Sequence, residues 1–406
     1  MKILVITQYF WPENFRINDL ACALKGNGHE ITILTGKPNY PSGKFFKGYG
    51  LVKKFFDEYN GIEIVRAPVF PRCSGKFIYL ILNYFSFVFF AFVSLFYLVR
   101  RNYDVIFVYE PSPITVALPA IWFKKIKKIP VVLWIQDLWP ESISATGAVK
   151  SKVIVNAVSH LVGYIYRRCD LLLVQSMAFI PSITRYADIN AEIVYFPNYA
   201  EDIYQVAKHS KNEPVESLPQ GFRVIFAGNI GAAQDFPTIL DAAEELKSNH
   251  LIKWVIVGDG RQFEWVKNEV AKRGLSNCVY LMGQFPLTDM PYFYSKSDVM
   301  LVTLKKNEIF SYTIPGKIQS YMAAGKPIVG CLDGEGKRVI DEAHAGLIAN
   351  SGDSKTLARN ILFLSELPRE ELDRYGKNAS EYYNLHFNKE KLVVFLEKKL
   401  LEVVGK

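Results

Sequence analysis

Short runs that are apolar on both faces recur along this chain of 406 residues. A run of that kind is stable as a parallel strand covered by helices on both sides. In the first half they are Ile3–Thr7, Ile31–Thr35, Ile62–Arg66, Val105–Tyr109, Val131–Ile135, Leu171–Gln175 and Ile193–Phe196. Helical stretches lie between them, and turn signals such as Gly26-Asn27-Gly28 mark helix ends. The polar stretch Ala200–Gln220, with Lys208, Lys211, Asn212, Pro214, Ser217 and Pro219, interrupts the rhythm. It then restarts with Arg223–Ala227, Trp254–Val257, Val279–Met282, Val299–Val302 and Pro327–Cys331. One core rarely grows beyond ~250–300 residues, so two domains are expected. The pattern predicts two Rossmann-like, doubly wound α/β domains over 1–200 and 221–385, a linker over 201–220, and a C-terminal helix over 386–406 that packs back toward the first domain. Ligands in such folds sit at the carboxyl ends of strands and at domain interfaces, so the expected site is a cleft faced by both domains.

Half of the residues (50%) are hydrophobic, which excludes general disorder. The net charge of +8 is unevenly placed: residues 1–200 carry 22 Lys and Arg against 13 Asp and Glu. A basic first half attracts phosphate-bearing partners or an anionic lipid surface. No familiar nucleic-acid module is visible, so nucleic acid is not expected as a partner. The five cysteines are scattered without a CxxC pair, which predicts reduced thiols and no zinc site. No Asp-x-Asp pair stands at a strand end, and the histidines are few and unpaired, so no metal is expected. The opening MKILVITQYF reads as a first strand: its apolar run is too short for a signal peptide.

Residues 77–99, FIYLILNYFSFVFFAFVSLFYLV, form 23 residues without a charge, flanked by Lys76 and by Arg100-Arg101. By length this segment could span a bilayer. A single span would put Met1–Lys76 and Arg100–Lys406 on opposite sides and divide strands of one sheet. The expectation is therefore a crossover helix, part core and part embedded in one leaflet, with Phe85, Phe89 and Phe92 toward lipid. A fully buried helix and a true span are the alternatives. The run Trp122-Phe123-Lys124-Lys125, continuing to Lys127 and Lys128, reads either as a solvated helix end or as a contact for anionic lipid.

The chemistry-bearing motifs lie in the second half. Strand RVIFAG leads into Gly228-Asn229-Ile230-Gly231-Ala232-Ala233-Gln234-Asp235, a second strand ends in Gly258-Asp259-Gly260, and a third in Gly283-Gln284-Phe285. Small residues after a strand let backbone N–H groups approach a phosphate near a helix start. One such loop is a weak signal, as readily a tight turn; three at successive strand ends are stronger. In Pro315-Gly316-Lys317-Ile318-Gln319-Ser320, Pro315 suits a first helical turn and Gly325 a helix end, which puts Lys317 in the first turn. N–H groups, helix dipole and ammonium would converge there on a diphosphate; the alternative is a solvated lysine at a helix start.

With these residues the chain resembles the family 4 retaining glycosyltransferases, of GT-B fold, over nearly its whole length. Within that family it most resembles the L-fucosamine (N-acetyl-6-deoxyhexosamine) transferases of O-antigen and capsule assembly. The segments behind the closer match are Gln8–Leu20, Thr35-Gly36-Lys37-Pro38-Asn39-Tyr40-Pro41, Asp137-Leu138-Trp139-Pro140-Glu141-Ser142 and Pro315–Pro327. The resemblance implies a UDP-sugar donor held by Gly228, Asn229, Gly231, Gln234, Gly258, Asp259, Gly260, Gln284, Phe285, Lys317 and Ser320, and no cofactor. It implies Lys317, Asp137 and Glu141 at the chemistry, with Asp137 and Glu141 equally able to serve as caps of the following helix. An acceptor, which the resemblance makes an undecaprenyl-diphosphate-linked glycan, is expected near Glu13, Arg16 and Gln136 in the first domain, with a plain helix-start role for Glu13 and Arg16 the equal alternative. The resemblance also implies a place on the cytoplasmic side of the bacterial inner membrane, peripheral or monotopic, held by 77–99 and the basic half. The sequence departs from the family's commonest pattern: Asn229 and Gln234 replace an Arg and a Lys, Tyr312 and Ser320 replace two glutamates, and Gln136 replaces a histidine. Lys317, with Lys305 or Arg16, would then carry more of the phosphate neutralisation, and Ser320 the ribose contact. A UDP-sugar 2-epimerase of the same fold and a non-catalytic membrane assembly subunit are the competing readings. The apolar helix argues against the first, and Lys317 with its loops against the second.

Overall fold

A computed structural model of the protein describes residues 1–73, 77–145, 151–186, 189–206 and 218–405. The chain divides into two compact units, Met1–Pro197 with Glu390–Lys406, and Asn198–Lys389. Of the polar stretch 201–220, residues 207–217 lie outside the described residues; Ile203–Val206 is a short helix, and Tyr204 stacks on Tyr294 at 4.8 Å.

The first unit is built on an eight-stranded sheet. Its strands are β1 Lys2–Ile6, β2 Glu30–Gly36, β3 Phe56–Tyr59, β4 Ile62–Ala67, β5 Val105–Glu110, β6 Val131–Ile135, β7 Leu171–Val174 and β8 Glu192–Tyr195, in the order β3-β4-β2-β1-β5-β6-β7-β8. Every pairing is parallel except β3 with β4. Strands β5, β6 and β7 are buried at every residue, which is why they read as continuous apolar runs. Strand β3, FDEY, gave no such signal: it is a polar edge strand, and its Asp57 takes the fully buried Arg66 at 3.0 Å.

The apolar segment forms the crossover helix Phe77–Leu98 between β4 and β5. Its buried positions Asn83, Phe87, Ala91, Leu95 and Leu98 recur at helical spacing and face the first unit. Ile78, Leu82, Phe85, Phe89, Val93 and Phe96 recur at the same spacing on the opposite face and are exposed. Phe92, expected toward lipid, is half-buried and packs edge-on against Trp122 at 5.5 Å. The flanking Lys76 lies outside the described residues. In the basic run, Lys124 pairs with Asp170 at 2.6 Å and Lys127 donates to the carbonyl of Val99, so two of the four lysines are tied to the fold. The C-terminal helix Lys389–Val404 belongs with this unit through Glu397, bonded to Asn27 and His29 at 2.9 Å, and Lys399, paired with Glu192 at 2.7 Å.

The second unit has six parallel strands, β9 Phe222–Ala227, β10 Ile252–Val257, β11 Val279–Gly283, β12 Val299–Thr303, β13 Ile328–Cys331 and β14 Gly346–Ala349, in the order β11-β10-β9-β12-β13-β14. Strand β14 was not legible from its short GLIA; it is fixed by Gly346, whose place a Cβ would bring within 1.6 Å of the Ile328 carbonyl. In each sheet the winding reverses beside the first strand, between β1 and β5 and between β9 and β12. A crevice at the carboxyl ends of such a strand pair is where ligands bind in open α/β sheets.

Candidate active site

In the second unit the reversal point gathers the predicted donor residues. Strand β9 runs into Gly228, at φ 138°, and on through Gly231 to the helix Phe236–Glu245. The loop after β10 lies directly on it: Ile230 N donates to the Asp259 carbonyl at 2.8 Å, and Gln262 N to the Ile230 carbonyl at 3.0 Å. A Cβ on Gly258 would sit 1.9 Å from the Gly228 carbonyl, and one on Gly260 2.3 Å from that of Ile230. Loop-to-loop packing therefore demands these two glycines before any ligand is considered. The third loop is tied in through Gly258 N, which donates to Gly283 O at 2.8 Å. Thr303 at the end of β12 donates to the Gln234 carbonyl, and Lys305 N to that of Ala233 at 2.9 Å, so Lys305 borders the same loop.

Lys317 stands in the first turn of the helix Gly316–Ala323, capped by Pro315, with Gly325 at φ 63° after its end. Its ammonium lies 3.7 Å from the centroid of the Phe226 ring and against Gly228. The Nζ atom is buried and has no hydrogen-bond partner among the described residues. Burial pulls it from the ordinary lysine range down to about 7. A buried amine without a counter-charge, aimed at the mouth of a glycine loop and a helix start, is arranged for a multiply charged anion.

The other donor candidates differ. Asn229, Asp259 and Gln284 are exposed; Asp259 accepts from Gly260 N at 2.6 Å. Phe285 packs on Phe293 at 4.8 Å, a core contact. The Ser320 hydroxyl donates back to the Gly316 carbonyl at 3.3 Å, which leaves only its lone pairs for a ribose. Gln319, not singled out in the sequence, is fully buried, and neither amide atom has a partner among the described residues. Nothing but its place between Lys317 and Tyr321 could have marked it.

In the first unit, Asp137 follows β6, and burial pushes its carboxyl up to about 6 against the pull of nearby Ser142, Ser112 and Trp139. Glu141 is not a free carboxylate: one oxygen pairs with Arg185, and the other is buried with no partner among the described residues. Glu13 is not free for an acceptor either. It is buried, and its Oε1 accepts from Asn39 N at 2.8 Å and Tyr40 N at 2.7 Å, which clamps the loop after β2. Burial raises its carboxyl to about 7. Arg16 begins the helix Arg16–Gly26 beside Tyr109, and Gln136 N donates to the Glu110 carbonyl at 3.0 Å. Glu110, at the end of β5, is the group that sequence reasoning missed. It is fully buried, and neither carboxyl oxygen has a well-formed hydrogen bond among the described residues. Burial, then the Asp137 carboxylate, pushes it well above the ordinary range; the N–H groups of Asp137 and Gln136 pull weakly the other way. It was hidden because it ends an otherwise apolar strand.

Comparison with known proteins identifies the enzyme class. A family model described as "Glycosyl transferase 4-like domain" matches residues 14–198, and one described as "Glycosyl transferases group 1" matches 210–382. The chain is a glycosyltransferase of the GT-B fold. It is 25% identical over 353 residues to the putative colanic acid biosynthesis glycosyl transferase WcaI of Escherichia coli (strain K12), covering 80% of this chain and 82% of that protein. Sucrose-phosphate synthase from Thermosynechococcus elongatus shares the fold at a TM-score of 0.73 and 15% identity, covering 100% of this chain and 99% of that one. Anabaena HepE in complex with UDP does so at 0.68 and 15%, covering 99% and 100%. Among the described residues, no three His, Cys, Asp or Glu side chains cluster to hold a metal ion.

Proposed function

We propose that this glycosyltransferase moves a sugar, N-acetyl-L-fucosamine or a related amino sugar, from UDP to an undecaprenyl-diphosphate-linked saccharide during O-antigen or capsular polysaccharide synthesis. The observation that carries the reading is the buried, unpartnered Lys317 ammonium beside Gly228 at a helix start. It supplies charge where a leaving diphosphate would develop it. The resemblance to WcaI, named for colanic acid, supports a polysaccharide pathway, and HepE, solved with UDP, supports a UDP donor. The transfer is retaining: the departing phosphate oxygen helps to deprotonate the acceptor hydroxyl on the same face of the sugar. The protein positions both substrates and stabilises the leaving group. Asp137, charged at neutral pH, orients a sugar or acceptor hydroxyl. No metal takes part. The exposed apolar face of Phe77–Leu98 rests in the cytoplasmic leaflet of the inner membrane, where the acceptor's diphosphate lies.

The test is incubation of the purified protein with a panel of UDP- and GDP-sugars, with and without a polyprenyl-diphosphate glycan, in excess EDTA. Transfer from one UDP-amino sugar that needs the lipid-linked acceptor and survives EDTA is expected. Conversion of the donor into its 2-epimer without acceptor would make the protein an epimerase. Loss of turnover that magnesium or manganese restores would overturn the metal-free mechanism.

A further inference from the structure

Arg72 occupies a setting that neither the donor site nor the sheet core explains. It lies in the loop after β4, and its guanidinium carbon stands 5.1 Å from the Tyr9 ring, 5.3 Å from Tyr40 and 5.5 Å from Tyr84. Tyr9 follows β1, Tyr40 follows β2, and Tyr84 is on the helix Phe77–Leu98, so the carboxyl ends of three adjacent strands converge on one cation. Nη2 donates to the phenol oxygens of Tyr9 and Tyr84, and the backbone N–H of Arg72 donates to Asn39 Oδ1 at 3.2 Å. These contacts fix the guanidinium plane. They do not neutralise it: among the described residues no carboxylate forms an ion pair with Arg72, and its buried Nε has no partner. Glu13, an acid within electrostatic reach of Arg72, is held by backbone N–H groups and raised to about 7 by burial.

A guanidinium held in place with donors to spare is a receptor for a phosphate or carboxylate oxygen. Its surroundings narrow the choice. The phenol rings present apolar faces, and the neighbouring turns of the helix expose Ile78, Tyr79, Leu82 and Phe85 in a strip that continues to Phe96. An anion that also carries a long hydrocarbon chain satisfies both features. We propose that Arg72, caged by Tyr9, Tyr40 and Tyr84, binds the diphosphate of a prenyl-diphosphate lipid, whose chain follows the exposed face of Phe77–Leu98. The inference rests on the lipid-linked acceptor of the proposed function, and it assigns the acceptor's anionic group to this cage and not to Glu13 or Gln136.

The experiment compares wild type, Arg72→Ala and Tyr84→Phe. Arg72→Ala is expected to raise KM for a prenyl-diphosphate-linked acceptor by ~10–100-fold, the range for a charge-assisted hydrogen bond. UDP affinity, and turnover on a soluble glycan lacking the lipid diphosphate, should stay within twofold. Tyr84→Phe, which keeps the ring and removes one brace, should raise the same KM severalfold and serves if Arg72→Ala does not fold. The second readout is sedimentation with phosphatidylglycerol vesicles, with and without undecaprenyl diphosphate. The variants should lose only the increment that the diphosphate lipid adds. An unchanged KM in folded variants, or an equal loss on phosphatidylglycerol alone, overturns the proposal. If wild type transfers to no prenyl-diphosphate acceptor, the functional reading fails, and the vesicle comparison still decides the cage.

Discussion

Lys317 shows how one buried charge couples binding to protonation. Burial, the only cause, lowers its pKa to about 7, so both protonation states lie within reach near neutral pH. A bound diphosphate favours the charged form and raises the pKa. Above about pH 7, nucleotide binding should therefore take up a proton, and UDP affinity should fall as pH rises toward 9. Calorimetry at pH 8 in buffers of different ionisation enthalpy reads the uptake directly, and it should vanish in Lys317→Ala. The same substitution should lower turnover by at least ~100-fold, since a charge-stabilising donor to the leaving group contributes ~3 kcal/mol or more. Near-normal turnover in a folded Lys317→Ala would remove the residue from the mechanism.

At the scale of elements, the helix Phe77–Leu98 carries the sharpest conflict between composition and fold. Its length and hydropathy suit a bilayer span. Yet Phe87, Ala91, Leu95 and Leu98 are fully buried in the first unit, and the crossover joins two strands of one sheet. A span would expose that face and break the sheet. The opposite face suits shallow insertion. Replacing Phe85, Phe89 and Phe96 with Ser should release the protein from vesicles and leave the melting temperature within a few degrees. Single cysteines at Tyr79 and Arg100, in a background lacking the exposed Cys73, should both react from the cytoplasmic side of inverted vesicles. Labelling from opposite sides would refute in-plane insertion.

Across the whole molecule, buried titratable groups give the two units opposite pH responses. In the first unit Glu110, Glu13 and Asp137 are all raised by burial. A carboxyl raised on folding contributes stability below its unfolded value of ~4.3, and loses it as pH rises through the folded value. The first unit should therefore weaken between about pH 4.5 and 7. In the second unit Lys317 and Lys326 are lowered, to about 7 and about 8. A lowered lysine costs stability while it stays charged, and that cost fades as pH rises toward ~10.4, so this unit should strengthen above neutral pH. Lys37, lowered to about 8, adds a smaller rise in the first unit over the same range. Scanning calorimetry at pH 5, 7 and 9 should show one transition falling between the first pair of values and another rising between the second. Stability that climbs steadily from pH 5 to 7 would contradict the assignment.

Strands buried on both faces were legible because their burial is written as unbroken apolar runs, as in β5 to β7, β12 and β13. The edge strands β3 and β14 were not, because β3 is polar and β14 is short, whereas the other two edges, β8 and β11, were. The glycine loops after β9 and β10 and the helix start at Lys317 were legible because glycine and proline fix backbone geometry locally. What those glycines do was not: Gly258 and Gly260 are demanded by loops packing on one another, which only the fold reveals. The partners of polar side chains were likewise decided by tertiary structure. Glu13 and Glu141 read in the sequence as either substrate contacts or helix-start groups, and the fold instead pairs them with Asn39 and Tyr40 and with Arg185. Glu110 and Arg72 carried no signal, and the fold leaves one buried without well-formed bonds and the other caged without an acid. By itself the sequence determined local backbone preference and which segments must leave water. Charge pairing and desolvation depend on groups far apart in the chain, so only the folded structure could decide them.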